Sequence, residues 1–349
     1  MRLPCLLPAL LSLCCLAQEH TLQDSHSTEN LRGVSAVSAK VVWASGTHGT
    51  YLRTSDGGKT WVAAQVPGAE ALDFRDVEAF SRDEAYLLAA GPGEQSRIYK
   101  TSDAGKTWNL QFLNHDPKGF YDCMAFWDRT HGIALGDPVN GKFELLATED
   151  GMHWNALTPT MLPPAIDGEG AFAASGTCIT VQDDANVWFG TGGKAARVFR
   201  SQDRGRTWTV AETPIVHGTE SSGIFSISFR DAIHGLIAGG DYRHPEKGEA
   251  NLAYTEDGGV TWKLAGIHPQ SYFSAIGYVD PSVPRGLLAV GSTRAVSSDT
   301  LLRDKWMVLL ETNLNALSFA PPWDAWAVGA KGAIMHWSFG QMNVRGGKN

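Results

Sequence analysis

Thr54-Ser55-Asp56-Gly57-Gly58-Lys59-Thr60-Trp61 decides the fold, because the chain repeats it. Residues 101–108 read Thr-Ser-Asp-Ala-Gly-Lys-Thr-Trp, residues 201–208 Ser-Gln-Asp-Arg-Gly-Arg-Thr-Trp and residues 255–262 Thr-Glu-Asp-Gly-Gly-Val-Thr-Trp. A shorter copy, Thr-Glu-Asp-Gly-Met-His-Trp, occupies 148–154. The tryptophans Trp61, Trp108, Trp154, Trp208 and Trp262 stand 47, 46, 54 and 54 residues apart, the span of one four-stranded propeller blade. Each copy has a mechanical reading. Asp56, Asp103, Asp150, Asp203 and Asp257 can accept from nearby main-chain N–H groups and hold a tight turn. Glycine permits the positive φ such a turn needs. The tryptophan then starts the next strand and buries its ring between blades. The aspartates read as turn residues rather than calcium ligands, at hairpin tips far from the channel.

A second pattern finds units that have lost the turn. A strand-like heptad precedes each copy: Leu-Arg-Gly-Val-Ser-Ala-Val at 31–37, Phe-Arg-Asp-Val-Glu-Ala-Phe at 74–80, Phe-Tyr-Asp-Cys-Met-Ala-Phe at 120–126, Ser-Gly-Thr-Cys-Ile-Thr-Val at 175–181 and Gly-Ile-Phe-Ser-Ile-Ser-Phe at 223–229. Two more follow, Tyr-Phe-Ser-Ala-Ile-Gly-Tyr at 272–278 and Asn-Leu-Asn-Ala-Leu-Ser-Phe at 313–319, which makes seven. The fourth position is always small and the seventh apolar or aromatic. The sixth unit keeps a decayed turn, Ser298-Asp299 with Trp306, and the seventh keeps only Trp337. The predicted fold is all-β: a seven-bladed propeller of four-stranded blades. The last unit supplies three strands of its own, so an open ring would expose unpaired edges. Residues between Gln18 and Ser25 are therefore predicted to add its outer strand. Two insertions break the rhythm, a Pro/Gly-rich loop at 158–174 and a polar connection at 240–249.

Composition agrees. The chain of 349 residues carries 38 glycines for turns and 12 tryptophans for large rigid contacts. A formal net charge of −8 gives no electrostatic reason to bind nucleic acid. Arg2 followed by an apolar run to Leu16, with Cys15 and Ala17 as small residues, reads as a signal peptide over 1–17. Residues 18–349 then form one propeller domain, exported to a periplasmic or extracellular location. No later stretch is apolar enough to span a membrane. Three of the five cysteines lie in this leader, and Cys123 and Cys178 share the fourth position of neighbouring heptads. Inner strands of adjacent blades often stand farther apart than a disulfide tolerates, so two free, buried thiols are expected.

The octapeptides resemble the Asp-box, or BNR, repeat of sialidases, sortilin-like receptors and many exported propellers. The blade pattern over 31–339 is most similar to the photosystem II stability/assembly factor-like group. That resemblance implies a seven-bladed, exported propeller that binds partner proteins and is not an enzyme by class. Members present arginines on one face of the ring, and here Arg32 and Arg75 hold comparable positions. Nothing in the chain indicates photosynthesis.

The alternative is a carbohydrate-active, sialidase-like glycoside hydrolase. That chemistry needs an arginine cluster, a tyrosine–glutamate pair and an acidic proton donor. The Phe/Tyr-Arg-Ile-Pro motif that carries the first sialidase arginine is absent; Phe74-Arg75-Asp76-Val77 resembles it only by eye. Gly190-Thr-Gly-Gly-Lys194 is too short for a phosphate loop, and Ala195 stands where Ser/Thr is required. It reads as a glycine turn. The histidines show no zinc spacing, and His234, Asp241, His244 and Glu246 read as a solvated loop. No metal or cofactor is expected.

The first strand of each blade lines a propeller's channel, so heptad positions two and three ring one mouth. They read Arg32-Gly33, Arg75-Asp76, Tyr121-Asp122, Gly176-Thr177, Ile224-Phe225, Phe273-Ser274 and Leu314-Asn315. Charge gathers on the first three blades. Arg32, Arg75, Asp76, Tyr121 and Asp122 are therefore the candidate site for a protein or glycan partner on a monomeric ring. Side chains alternate along a strand, so Asp76 and Asp122 are expected to share one orientation, and Arg32, Arg75 and Tyr121 the other.

Overall fold

Each repeat unit folds as four antiparallel strands, because alternating apolar residues with glycine-bearing turns cannot bury one face except against the next unit. The computed structural model describes residues 18–266, 269–282, 285–298, 306–320 and 323–339. The expected signal peptide and Asp299 lie outside the described residues. Blade one is Leu31–Ala36, Val42–Gly46, Thr50–Thr54 and Val62–Gln65, from the channel outward. Six further sheets repeat that order. Each inner strand lies against those of both neighbouring blades, which closes a seven-bladed ring. The ring is sealed by the predicted exchange: Gln18–Gln23 pairs antiparallel with Ile334–Phe339 and forms the outer strand of blade seven. Gln23 also accepts from the Trp61 indole at 2.7 Å, which ties this strand to blade one.

The core is divided into seven clusters, one at each blade interface. Every repeated tryptophan packs against the preceding blade. Trp61 meets Trp326 of blade seven edge-on at 5.9 Å, and Trp108 meets Tyr51 of blade one at 5.1 Å. Trp208 joins Cys123, Ile133 and Leu135 of blade three. Burial is unequal: Trp208 is buried, whereas Trp108 and Trp306 are half-buried.

The turns are held as their spacing implies. Thr60 donates its main-chain N–H to Asp56 Oδ1 at 3.0 Å and its hydroxyl to Oδ2 at 2.7 Å, and Gly58 N–H donates to Thr54 Oγ1 at 2.9 Å. Asp103, Asp203 and Asp257 repeat this geometry with Thr107, Thr207 and Thr261. In the shortened copy Asp150 accepts instead from the Met152 and His153 amides, both at 2.8 Å.

Two expectations are corrected. Cys123 and Cys178 are bonded to each other, with their Cα atoms 6.1 Å apart. Near the axis the inner walls of blades three and four converge within disulfide reach. Blade four is also irregular there: its inner strand pairs only over Ile179–Gln182, so Cys178 precedes the ladder and is free to meet Cys123. Gly190 to Lys194 is more than a turn. Gly192 and Gly193 pair with Gly170 and Glu169 of the long insertion, and Gly192 pairs with Gly223 of blade five, extending that sheet to six strands.

Candidate functional site

The inner strands share a defect that sets the mouth. In blade one Leu31 pairs with Gly46 and Gly33 with Ser45, so Arg32 has no ladder partner. The same β-bulge leaves Arg75, Asp122, Phe225 and Asn315 unpaired on blades two, three, five and seven. A bulge re-aims one side chain out of the alternating pattern. All five bulged residues line one cavity of about 590 Å³ at the channel mouth, and Ser274 joins them from blade six.

This register corrects the heptad alignment. Arg75 is equivalent to Asp122, not to Tyr121, and Asp76 is equivalent to Cys123. Orientation follows: Arg32, Arg75 and Asp122 face the mouth together, while Asp76 and Tyr121 do not line it. Tyr121 is buried at the interface of blades two and three, its ring edge-on to Phe112 at 5.2 Å. Asp76 is buried and accepts the Met124 amide of the next blade at 2.8 Å. Heptad spacing could not show a residue skipped from a ladder; the signal was the large apolar or aromatic residue just before each bulge (Leu31, Phe74, Tyr121, Ile224 and Leu314).

The seventh sector is filled by the insertion at 158–174, read from sequence as an exposed loop. Its C-terminal end crosses the mouth as a strap. Arg75 donates to the Ala173 carbonyl at 3.2 Å and Arg32 does so at 3.4 Å. Phe172 stacks on Phe225, ring centroids 3.9 Å apart and nearly parallel. The strap is pinned on both sides. Before it, Glu169, with no side-chain exposure, is paired with Arg197 through both carboxylate oxygens and accepts the Thr191 hydroxyl at 2.6 Å. Ala171 N–H donates to Asp137 at 2.9 Å. After it, Ser175 donates to the Ser274 carbonyl at 2.8 Å, and Cys178 carries the disulfide.

The mouth is electrostatically divided. Arg75 is paired with Asp73 at 2.8 Å. Burial lowers the Arg32 pKa from its ordinary value, and the neighbouring Arg75 charge lowers it further. Burial raises the Asp122 carboxyl well above the usual range; Asp137 adds to the rise, while Arg75 and the Ala173 amide oppose it. Below the mouth, burial pushes Asp76 up to about 7, and burial with the nearby Asp76 pushes Glu78 up to about 8. Across from the charged wall stand Phe225, Tyr242 and Tyr272, with both tyrosine rings edge-on to Phe225. Phe225 and Tyr272 belong to the fifth and sixth heptads but lie outside the charged sector chosen as the candidate site, and Tyr242 comes from the connection at 240–249.

The arginines lining the cavity are Arg32 and Arg75, not the three that sialidase chemistry converges on one pocket. Asp76 and Asp122 belong to different environments rather than to a facing carboxylate pair. His234 and His244 each cap their own turn, on Asp231 and Asp241. Among the described residues no three or more His, Cys, Asp or Glu side chains are placed to hold a metal ion, and no helix is long and apolar enough to cross a membrane.

No family model and no curated protein matches this chain. Solved structures do. The chain is similar to YCF48 bound to D1 peptide, at 15% identity over 92% of this chain and 96% of that chain, with a TM-score of 0.63. It is similar to YCF48 from Cyanidioschyzon merolae, at 18% identity over 91% and 98%, TM-score 0.64. A streptogramin B lyase is similar at 12% identity over 92% and 97%, TM-score 0.67. One of these neighbours is named for a bound peptide and another for a lyase activity, so the likeness is one of fold, and the chemistry must be read from the site.

Proposed function

We propose that this chain is an exported Asp-box propeller, akin to the photosystem II stability/assembly factor-like group, that binds a segment of a partner protein at the channel mouth. One observation carries the reading: the mouth already holds polypeptide. Two bulged arginines grip a main-chain carbonyl, that of Ala173, while an aromatic wall takes the adjoining side chain. Guanidinium groups that recognise a carbonyl, beside apolar rings, suit an extended peptide. Support comes from the YCF48 structure, in which a ring of the same fold is bound to a peptide. Export through residues 1–17 fits a buried disulfide, which persists in oxidising compartments.

Arg75→Ala tests the reading. It removes one carbonyl donor and the Asp73 pair at a half-buried position, so the ring should keep its melting temperature within a few degrees and lose partner capture from the native envelope. Capture by the folded variant at the wild-type level would overturn the assignment and move the binding surface to the connection at 240–249 or elsewhere on the ring.

A further inference from the structure

The strap belongs to none of the seven blades, yet the mouth is shaped to it. Phe172 sits in a slot with Phe225 as one face and Tyr242 edge-on at 6.4 Å. The floor is main chain. Gly192 and Gly223 pair there, and a Cβ on Gly192 would come within 2.1 Å of the Phe172 ring. A Cβ on Gly223 would come within 3.1 Å of that ring, and φ there is +151°, where other residues are strained. Only paired glycines leave room for an aromatic ring at this place.

The occupant fills the slot incompletely. Ala171 and Ala173 are buried, Phe172 and Ala174 remain half-buried, and among the described residues 171–174 have no ladder partner. Two buried polar atoms beside the strap have no hydrogen-bond partner among the described residues: Arg32 Nε and Asp122 Oδ2. Both residues line the cavity of about 590 Å³ that stays open next to the strap. A site with an unused donor, an unused acceptor and an aromatic ring left half-buried is shaped for something that fills it better.

We infer that Phe172 and Ala173 are an internal stand-in for the partner: the true ligand is an extended peptide that lays an aromatic side chain on Phe225 and a main-chain carbonyl between Arg32 and Arg75. This rests on the reading of the mouth as a protein-binding site. The strap competes from a tethered position, so the apparent affinity for the partner is reduced by the fraction of molecules with the tip in place. The Glu169–Arg197 pair and the disulfide anchor the strap's two ends and confine the exchange to its tip.

The test supplies the tip in trans. The full chain is made with Ala171→Gly, Phe172→Gly, Ala173→Gly and Ala174→Gly together, leaving both anchors intact. The probe is the acetylated, amidated hexapeptide Gly-Ala-Phe-Ala-Ala-Ser, titrated calorimetrically against this chain and the wild type. Binding should be at least tenfold tighter to the tetraglycine chain. It should be lost when the phenylalanine of the peptide is alanine, and lost when Arg75→Ala is added. Equal binding to both chains, or none to a folded tetraglycine chain, overturns the inference. If that chain fails to fold, Phe172→Ala alone takes the same assay, with the same ordering expected and the same results fatal. The two readings fail separately. Partner capture that depends on Arg75, with a peptide that ignores both chains, leaves the mouth a binding site and overturns only the stand-in. Capture indifferent to Arg75 overturns the underlying reading and the inference with it.

Discussion

Asp56 and Asp76 are the same residue type under opposite rules. Asp56 sits at an exposed turn and accepts from Thr54 and from the amide and hydroxyl of Thr60, which hold its carboxyl down to about 2. Asp76 sits in the channel wall, where burial outweighs two main-chain N–H donors and lifts it to about 7. The first has its partners within four residues along the chain; the Met124 amide that meets the second comes from the next blade, 48 residues away. The outer turns are thus local devices, repeated because each works alone. The inner wall is a collective one, and it departs from the repeat where blade four admits the strap. Substitutions on either side test that contrast.

The largest losses belong to the inner interfaces. Trp208→Ala should cost about 3–5 kcal/mol, since a fully buried ring is removed from the interface of blades three and four. Trp108→Ala should cost less, because its ring is half-buried, and Trp306→Ala should resemble Trp108. Equal denaturation midpoints for the three would mean that burial does not grade the blades. Next comes the strap's anchor. Arg197→Ala leaves the Glu169 carboxyl without its ion-pair partner in a site without exposure and should cost about 3–5 kcal/mol. Arg82→Ala, removing an exposed pair with Asp83, should cost about 0–1 kcal/mol. Urea melts of both would decide whether the strap is part of the cooperative fold.

The disulfide closes a loop of sequence separation 55, and Cys178→Ser should cost about 2–4 kcal/mol. Cleavage by a nonspecific protease should then begin near residues 158–178 rather than in blade two; an unchanged cleavage map would show that the strap does not depend on the bond. The effect spread most gradually is the pH dependence of Asp76. Its native carboxyl binds a proton more tightly than an unfolded one of ordinary pKa about 4. Between about pH 4 and 7 the native state therefore holds more protons, and this group makes stability fall as pH rises, by at most about 1.4 kcal/mol per pH unit. Asp76→Asn should flatten the decline in melting temperature from pH 5 to 8. Asp56 has the opposite sign: its contribution is present above about pH 4 and fades as pH falls toward 2. An unchanged slope in Asp76→Asn would place the neutral-range titration on Glu78.

Legibility divided along the same line. The seven units, the turn residues and the closure by Gln18–Gln23 could be read because periodicity and a missing outer strand are properties of the chain itself. Of the candidate site, Arg32, Arg75 and Asp122 are in the mouth; Tyr121 was assigned there through an alignment one residue out of register on blade three, and Asp76 because two successive heptad positions were both taken to face the mouth. A bulge inserts a single residue without changing the apolar pattern around it, and a slip of one residue turns a side chain to the other face.

Local sequence was enough for seven strand-like units and for a hairpin with an aspartate turn and a tryptophan anchor in five of them, because those turn contacts close within a few residues. Tertiary structure alone decided which side chains face the mouth, that Cys123 meets Cys178, and that the insertion lies across the axis. The grip of Arg32 and Arg75 on Ala173 spans 141 and 98 residues of chain. Such a contact forms only once the ring has closed and brought distant walls together, and no local pattern of residues encodes it.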